Sequence, residues 1–176
     1  VTAFALSALT IRPLRGDDAD MIAASFAAQG WNKPAAQYGR YYAEQCTGER
    51  EVLIAELDGA FAGYVTIVWQ SDYQPFREQA IPEIVDLNVL IAFRRLGVAS
   101  ALLDNAETMI ATHSPVAGLG VGMTADYGAA QILYMRRGYL PDGRGLASCG
   151  KTLHYGDVAI LDDNLALYLT KGVGTS

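Results

Sequence analysis

The run from Asp86 to Ser100 constrains this chain more than any other: an apolar stretch through Leu90 and Ile91 ends in Arg94-Arg95-Leu96-Gly97, and a helical pattern begins at once behind it. Val98, Ala101, Leu102, Ala106, Met109 and Ile110 form a stripe of period 3.6, so a strand, a basic glycine turn and a helix that buries one face against a sheet follow one another. The first amides of such a helix have no partner within it, and together with the helix dipole they favour an anion. Gly97 lets the backbone come close to a ligand, small Ala99 leaves room beside it, and Arg94 and Arg95 add positive charge. The turn reads as a cradle for a pyrophosphate.

The rest of the chain supplies a sheet for that helix. Thr10–Leu14 is strand-like, and Asp17 and Asp18 stand where they can cap a helix through Met21, Ile22 and Phe26 that Gly30 ends. Pro34 suits the start of a second helix, on which Tyr38, Tyr41, Tyr42 and Gln45 share a face. That stripe is expected in the core, with Trp31, Tyr38 and Tyr41 also candidates to line a binding site. Val52–Leu57 and Ala60–Trp69 flank Asp58-Gly59, a strong two-residue hairpin signal. The connection Gln70–Ile81, holding Tyr73, Pro75 and Phe76, has the length of a functional lid.

Strands are expected from Glu83 to Leu90 and from Ala117 to Met123. In the second, Gly118, Gly120 and Gly122 strip one face and invite a ligand or backbone, although their spacing is not that of a dinucleotide fingerprint. A helix over Gly128–Arg137 should end at Gly138. After a glycine-rich link over Asp142–Gly150, two last strands are expected, His154–Leu161 and Leu165–Thr170, joined at Asp162-Asp163-Asn164. The order implies an α/β fold, a mixed and mostly antiparallel central sheet with helices on both faces, in one domain over residues 1–176.

Composition narrows the class. A chain of 176 residues, 51% hydrophobic and 18% charged, has the profile of a soluble domain with a sizeable core. No stretch approaches the roughly 18 apolar residues of a membrane span, and Val1–Leu6 lacks the basic flank of a secretory signal, so a cytoplasmic protein is expected. Cys46 and Cys149 show neither CxxC spacing nor a nearby histidine pair, which leaves no metal site and two ordinary thiols. A net charge of −6 argues against a nucleic-acid partner and suits a cationic one.

Arg94-x-x-Gly97-x-Ala99 resembles motif A of the Gcn5-related N-acetyltransferases, whose pattern is Gln or Arg, two residues, Gly, one residue, Gly or Ala. Ala130-x-x-Leu133-Tyr134, closed by Gly138-Tyr139, is similar to the second signature of that family, in the right order and spacing. The resemblance covers about residues 50–140 and implies acetyl-coenzyme A as donor, with direct transfer to a primary amine and no covalent enzyme intermediate. It further implies that backbone groups of Leu87 and Val89 pair with pantetheine, that Arg94, Arg95, Leu96, Gly97, Val98, Ala99 and Ser100 hold the pyrophosphate, and that Tyr134 protonates the departing thiolate. The chain departs from the pattern at Tyr127, where an Asn often touches pantetheine, and at Ile91, where a Pro often stands.

Acyl transfer to an amine also needs an oxyanion donor and a proton acceptor. A main-chain N–H between Leu87 and Val89 suits the first. Glu83 and Asp86 are candidates for the second, with Asp86 preferred; a regular strand puts them on opposite faces unless a bulge intervenes, and relay through water is also compatible with the family. His113 and His154 are expected to be a surface and a sheet residue rather than catalysts. The acceptor expected from the acidic balance is a small cationic amine, such as a polyamine or an aminosugar. A protein N-terminus or lysine is the alternative substrate, a catalytically silent acyl-coenzyme A sensor is the alternative function, and a homodimer is left open.

Overall fold

The computed structural model describes residues 8–174. In chain order the described residues form β1 (Leu9–Pro13), α1 (Ala19–Ala28), α2 (Ala35–Thr47), β2 (Arg50–Leu57), β3 (Ala60–Val68), α3 (Gln74–Glu78), β4 (Glu83–Val89), α4 (Val98–Ala111), β5 (Val116–Gly122), α5 (Gly128–Arg136), β6 (Leu140–Ser148), β7 (Lys151–Thr152) and β8 (Leu165–Gly172). The strands make a mixed sheet in the order β1-β2-β3-β4-β5-β8-β6-β7. β4 runs parallel to β5, whereas β1 with β2, β5 with β8, β8 with β6 and β6 with β7 are antiparallel, which is the α/β architecture expected.

Two compact units share the chain: one holds the residues up to Ile67 with Asp86–Ala106, the other Val68–Val85 with the residues from Glu107 on. In the first, the turn between β2 and β3 places Asp58 at φ 52° and Gly59 at φ 81°, the paired positive angles that a two-residue hairpin requires. Val52 and Ile54 join Ile22, Phe26, Tyr38 and Tyr64 in one cluster, and the alternate residues Leu53 and Ala55 are buried as well, so both faces of β2 are covered. Asp18 precedes α1 as expected, but its side chain does not cap the helix. It takes both terminal nitrogens of Arg12 at 2.7 and 2.9 Å and the Arg15 amide at 2.7 Å, and so ties β1 to the start of α1.

The second unit corrects four expectations. The 70–81 segment is packed rather than lid-like: Tyr73 and Phe76 are each 1% exposed, Tyr73 stacks on Tyr168 at 3.7 Å, and the Phe76 ring meets both edge-on. The bare face of β5 is filled by the protein's own rings. A Cβ at Gly118 would stand 2.3 Å from Phe76, one at Gly120 3.1 Å from Tyr168, and one at Gly122 2.6 Å from Tyr127.

β6 occupies most of the expected link, because Gly143 and Gly145, both at positive φ, bulge the strand between Pro141 and Leu146 without ending its pairing to β8. No strand forms over His154–Leu161. Gly156 at φ 93° and the Asp157 carboxylate, which accepts the His154 amide at 2.7 Å, turn the chain there and leave Tyr155, Val158 and Ile160 exposed. Deeper in this unit, Glu107 near the end of α4 accepts Lys171 at 2.6 Å, Arg137 at 2.9 Å and the Tyr139 hydroxyl at 3.1 Å, which compensates a carboxylate only 9% exposed.

Candidate active site

The basic turn has the form the sequence implies. Arg94–Gly97 is exposed, Arg95 sits at φ 63° and Gly97 at φ 82°, and the ladder of α4 starts with the Ala101 amide on the Gly97 carbonyl at 3.0 Å. The amides of Val98, Ala99 and Ser100 therefore precede the ladder, at the positive end of a 14-residue helix. Nothing lies within 4 Å of where a Gly97 Cβ would stand, so glycine is required by its backbone angle rather than by crowding. Open space, uncommitted amides and two exposed guanidinium groups fit a pyrophosphate. The turn is tied to the loop after α1: Gln29 Oε1 accepts the Ile91 amide at 2.9 Å, and the Arg94 guanidinium lies 5.4 Å from the Trp31 ring centre.

Asp86 lies in β4 with φ 54°, a left-handed residue that breaks the regular pleat. Its Oδ2 accepts the Tyr64 hydroxyl at 2.6 Å, the Tyr41 hydroxyl at 3.0 Å and Gln37 Nε2 at 3.0 Å, while Oδ1 accepts Asn88 Nδ2 at 2.6 Å and Lys33 Nζ at 3.2 Å. Five donors on one carboxylate fill its lone pairs, so Asp86 can take up a proton here only by giving up a donor. Burial, reinforced by the Asp86 charge, pushes Tyr41 up to about 12 and Tyr64 further in the same direction, so both remain phenols that donate. Leu87 and Val89, on either side of Asn88, are half-buried.

Glu83 belongs to the second unit and is 7% exposed. It pairs in register with Gly118 of β5, and its Oε2 accepts the Ser71 hydroxyl, whose oxygen in turn accepts the Tyr73 amide at 3.0 Å. The two carboxylates of β4 thus lie in separate settings.

Tyr134, on α5, is 7% exposed and packs edge-on to Tyr139. Burial first, and the neighbouring Tyr127 phenol second, push its hydroxyl up to about 12. Its hydroxyl carries the proton throughout the neutral range, as a general acid must. Tyr127 closes over Gly122 and donates to Asp163 at 3.1 Å, and Gln131 Nε2 holds the Gly122 carbonyl at 2.8 Å, which fixes α5 to the end of β5. His113 is exposed at the end of α4 with its ring 4.5 Å from Trp69, and His154 is exposed in a turn rather than in a strand. Among the described residues no group of His, Cys, Asp and Glu could hold a metal ion.

Sequence reasoning finds Asp86, Tyr41 and the cradle but misses Lys33, Gln37, Tyr64 and Asn88. Two of these leave a local trace: Gln37 stands one helical turn before Tyr41, and Asn88 lies two residues beyond Asp86 on one strand. Tyr64 and Lys33 leave none.

No curated protein matches the chain by sequence. Solved structures do match it by fold. An N-acetyltransferase from Staphylococcus aureus Mu50 aligns at TM-score 0.69 and 15% identity, over 95% of this chain and 99% of that one. The Salmonella typhimurium protein yncA, solved with its cofactor acetyl-CoA, aligns at 0.66 and 17%, over 96% and 95%. The ribosomal-protein-S18-alanine N-acetyltransferase of Escherichia coli aligns at 0.66 and 14%, over 96% of each chain. A family model, that of the acetyltransferase (GNAT) family, matches residues 19–139, a span that holds both the cradle and Tyr134. The chain belongs to the GNAT family of acetyl-CoA-dependent acetyltransferases.

Proposed function

We propose that this enzyme transfers the acetyl group to a primary amine of a small cationic molecule, with residues 1–176 acting as one catalytic domain in the cytoplasm. The observation that carries this reading is the Asp86 carboxylate, which with the rings of Phe26 and Tyr64 already holds one ammonium group, that of Lys33. The net charge of −6 favours the approach of such a molecule. Acetyl-CoA supplies the acetyl thioester.

In this reading the amides from Arg95 to Ser100, with Arg94 beside them, bind the pyrophosphate, and main-chain groups of Leu87 and Val89 pair with the pantetheine amides. Tyr127 replaces the usual Asn as a pantetheine contact. An amide of the same β4 stretch stabilises the oxyanion, and Tyr134 protonates the leaving thiolate. The amine loses its proton to a β4 carboxylate, Glu83 or Asp86, directly or through water.

Thiol release from acetyl-CoA tests the proposal, measured against a panel of polyamines, aminosugars, simple amines and peptides. Turnover of polyamines or aminosugars is expected. Efficient modification of peptides alone would replace this reading with a protein N-terminal or lysine acceptor, the first being the kind of substrate named for the E. coli neighbour. Coenzyme binding without turnover of any amine would favour the acyl-CoA sensor.

A further inference from the structure

Lys33 stands in a cage suited to any ammonium ion. Its Nζ is 3.2 Å from Asp86 Oδ1, 3.3 Å from the Tyr64 hydroxyl, and 5.7 and 5.8 Å from the ring centres of Phe26 and Tyr64. The walls do not depend on this tenant. Phe26 and Tyr64 are 0% exposed and pack edge-on to each other at 5.8 Å, and Asp86 keeps four other donors in Tyr64, Tyr41, Gln37 and Asn88.

Lys33, by contrast, comes from the connection between α1 and α2, where residues 31–34 form neither helix nor strand. With Ala23, Ala27 and Trp31 it lines an open depression of about 530 Å³. A flexible stem on a loop can swing out while a rigid, preorganised cage remains.

We propose that this cage recognises the acceptor: Lys33 occupies it in the free enzyme, and the substrate is an amine with at least two basic nitrogens, one of which displaces Lys33 as an ammonium ion. The inference rests on the reading of a small cationic acceptor and narrows it. An ammonium held at Asp86 has no lone pair, and the carboxylate's remaining donors leave it poorly placed to take the proton, so the nitrogen that reacts is another one. On that second nitrogen the C–N bond forms first, giving the oxyanion, the C–S bond breaks as the oxyanion collapses, and one proton passes in net from nitrogen to sulfur. Asp86 is then the residue that holds the substrate's far charge, and the base is Glu83 or water.

The probe for the cage is methylammonium chloride compared with sodium chloride at equal ionic strength. Lys33→Ala should gain thermal stability with methylammonium, and Lys33→Ala combined with Asp86→Asn should not. Lys33→Met, which keeps the apolar stem, serves if the alanine variant does not fold. The wild type gives an independent reading, because tetramethylammonium should speed reductive methylation of Lys33, followed by mass, without itself reacting.

Kinetics then compare 1,4-diaminobutane with butylamine. Lys33→Ala should lower KM for the diamine by about tenfold and leave that for butylamine nearly unchanged. No methylammonium effect on the alanine or methionine variant overturns the inference. So does a preference for neither amine in an enzyme that acetylates both, which leaves the small-amine reading standing. If methylammonium binds but no small amine is turned over, the small-amine reading itself fails, and the acceptor role of the cage falls with it.

Discussion

Gly97 offers a way to separate the cradle's chemistry from its contribution to folding. Its φ of 82° costs an L-residue about 1–2 kcal/mol, and because nothing lies within 4 Å of the place a Cβ would take, that conformational cost is the whole cost of Gly97→Ala. At about 2–4 °C per kcal/mol for a domain of this size, the melting temperature should fall by about 2–8 °C. The exposed turn can escape the strain by rotating, but rotation re-aims the amides of Val98 and Ala99, so acetyl-CoA affinity falls even where stability recovers.

Gly97→Asp adds a negative charge beside the cradle amides, worth roughly 1–3 kcal/mol after screening at the surface, or about a 5- to 150-fold weaker Kd. Gly48, at φ 78° behind α2 and equally open, is the control: Gly48→Asp carries the same backbone strain away from the cradle. Calorimetric titration with acetyl-CoA, beside thermal melts, reads both quantities. A folded Gly97→Asp protein with wild-type affinity, or an equal loss of affinity in Gly48→Asp, would refute the reasoning.

Four further outcomes are expected. Tyr134→Phe should lower kcat by about 10²-fold with little change in coenzyme Kd. Since burial raises Tyr134 from about 10 to about 12 in the folded state, the wild type should be unaffected by its ionisation below pH 10 and lose stability as pH rises from 10 towards 12, while Tyr134→Phe, with no hydroxyl to ionise, should not share that loss in alkaline melts. Gly118→Ala drives a Cβ to 2.3 Å from the buried Phe76 ring and should cost about 1–3 kcal/mol in urea unfolding, part of which Phe76→Leu restores in the double variant. Acetyl-CoA should draw Arg94 off Trp31 and change tryptophan emission; the signal should survive Trp69→Phe and vanish in Trp31→Phe, and its persistence in Trp31→Phe would show that the Arg94 contact is not what changes.

The parts of the fold that are legible in the sequence are those fixed by neighbouring residues. Asp58-Gly59 supplies two positive φ angles between apolar runs, and Arg94–Ser100 supplies a turn with a helix start, so hairpin and cradle are local statements. The tail is illegible for a related reason. Leu146 and Ala147 pair with β8 through long-range contacts that outweigh the glycines around them, whereas the apolar run at Val158–Leu161 has no strand beside it to pair with among the described residues. Glycines at 118, 120 and 122 announce a close approach but not what approaches, because Phe76, Tyr168 and Tyr127 come from three different elements.

The same distinction runs through the site. Asp86 is visible as a carboxylate on the right strand, but what it does depends on Tyr64, Tyr41, Gln37 and Lys33, which stand 22, 45, 49 and 53 residues away. A period-two pattern puts Glu83 and Asp86 on opposite faces of a regular strand, but it does not say what either face meets. Asp86, at positive φ, meets Lys33 and side chains of α2 and β3, while Glu83 accepts from Ser71. Two carboxylates of one strand therefore have different neighbours. Asp86 collects five donors, one of them the ammonium of Lys33, whereas Glu83 accepts the Ser71 hydroxyl.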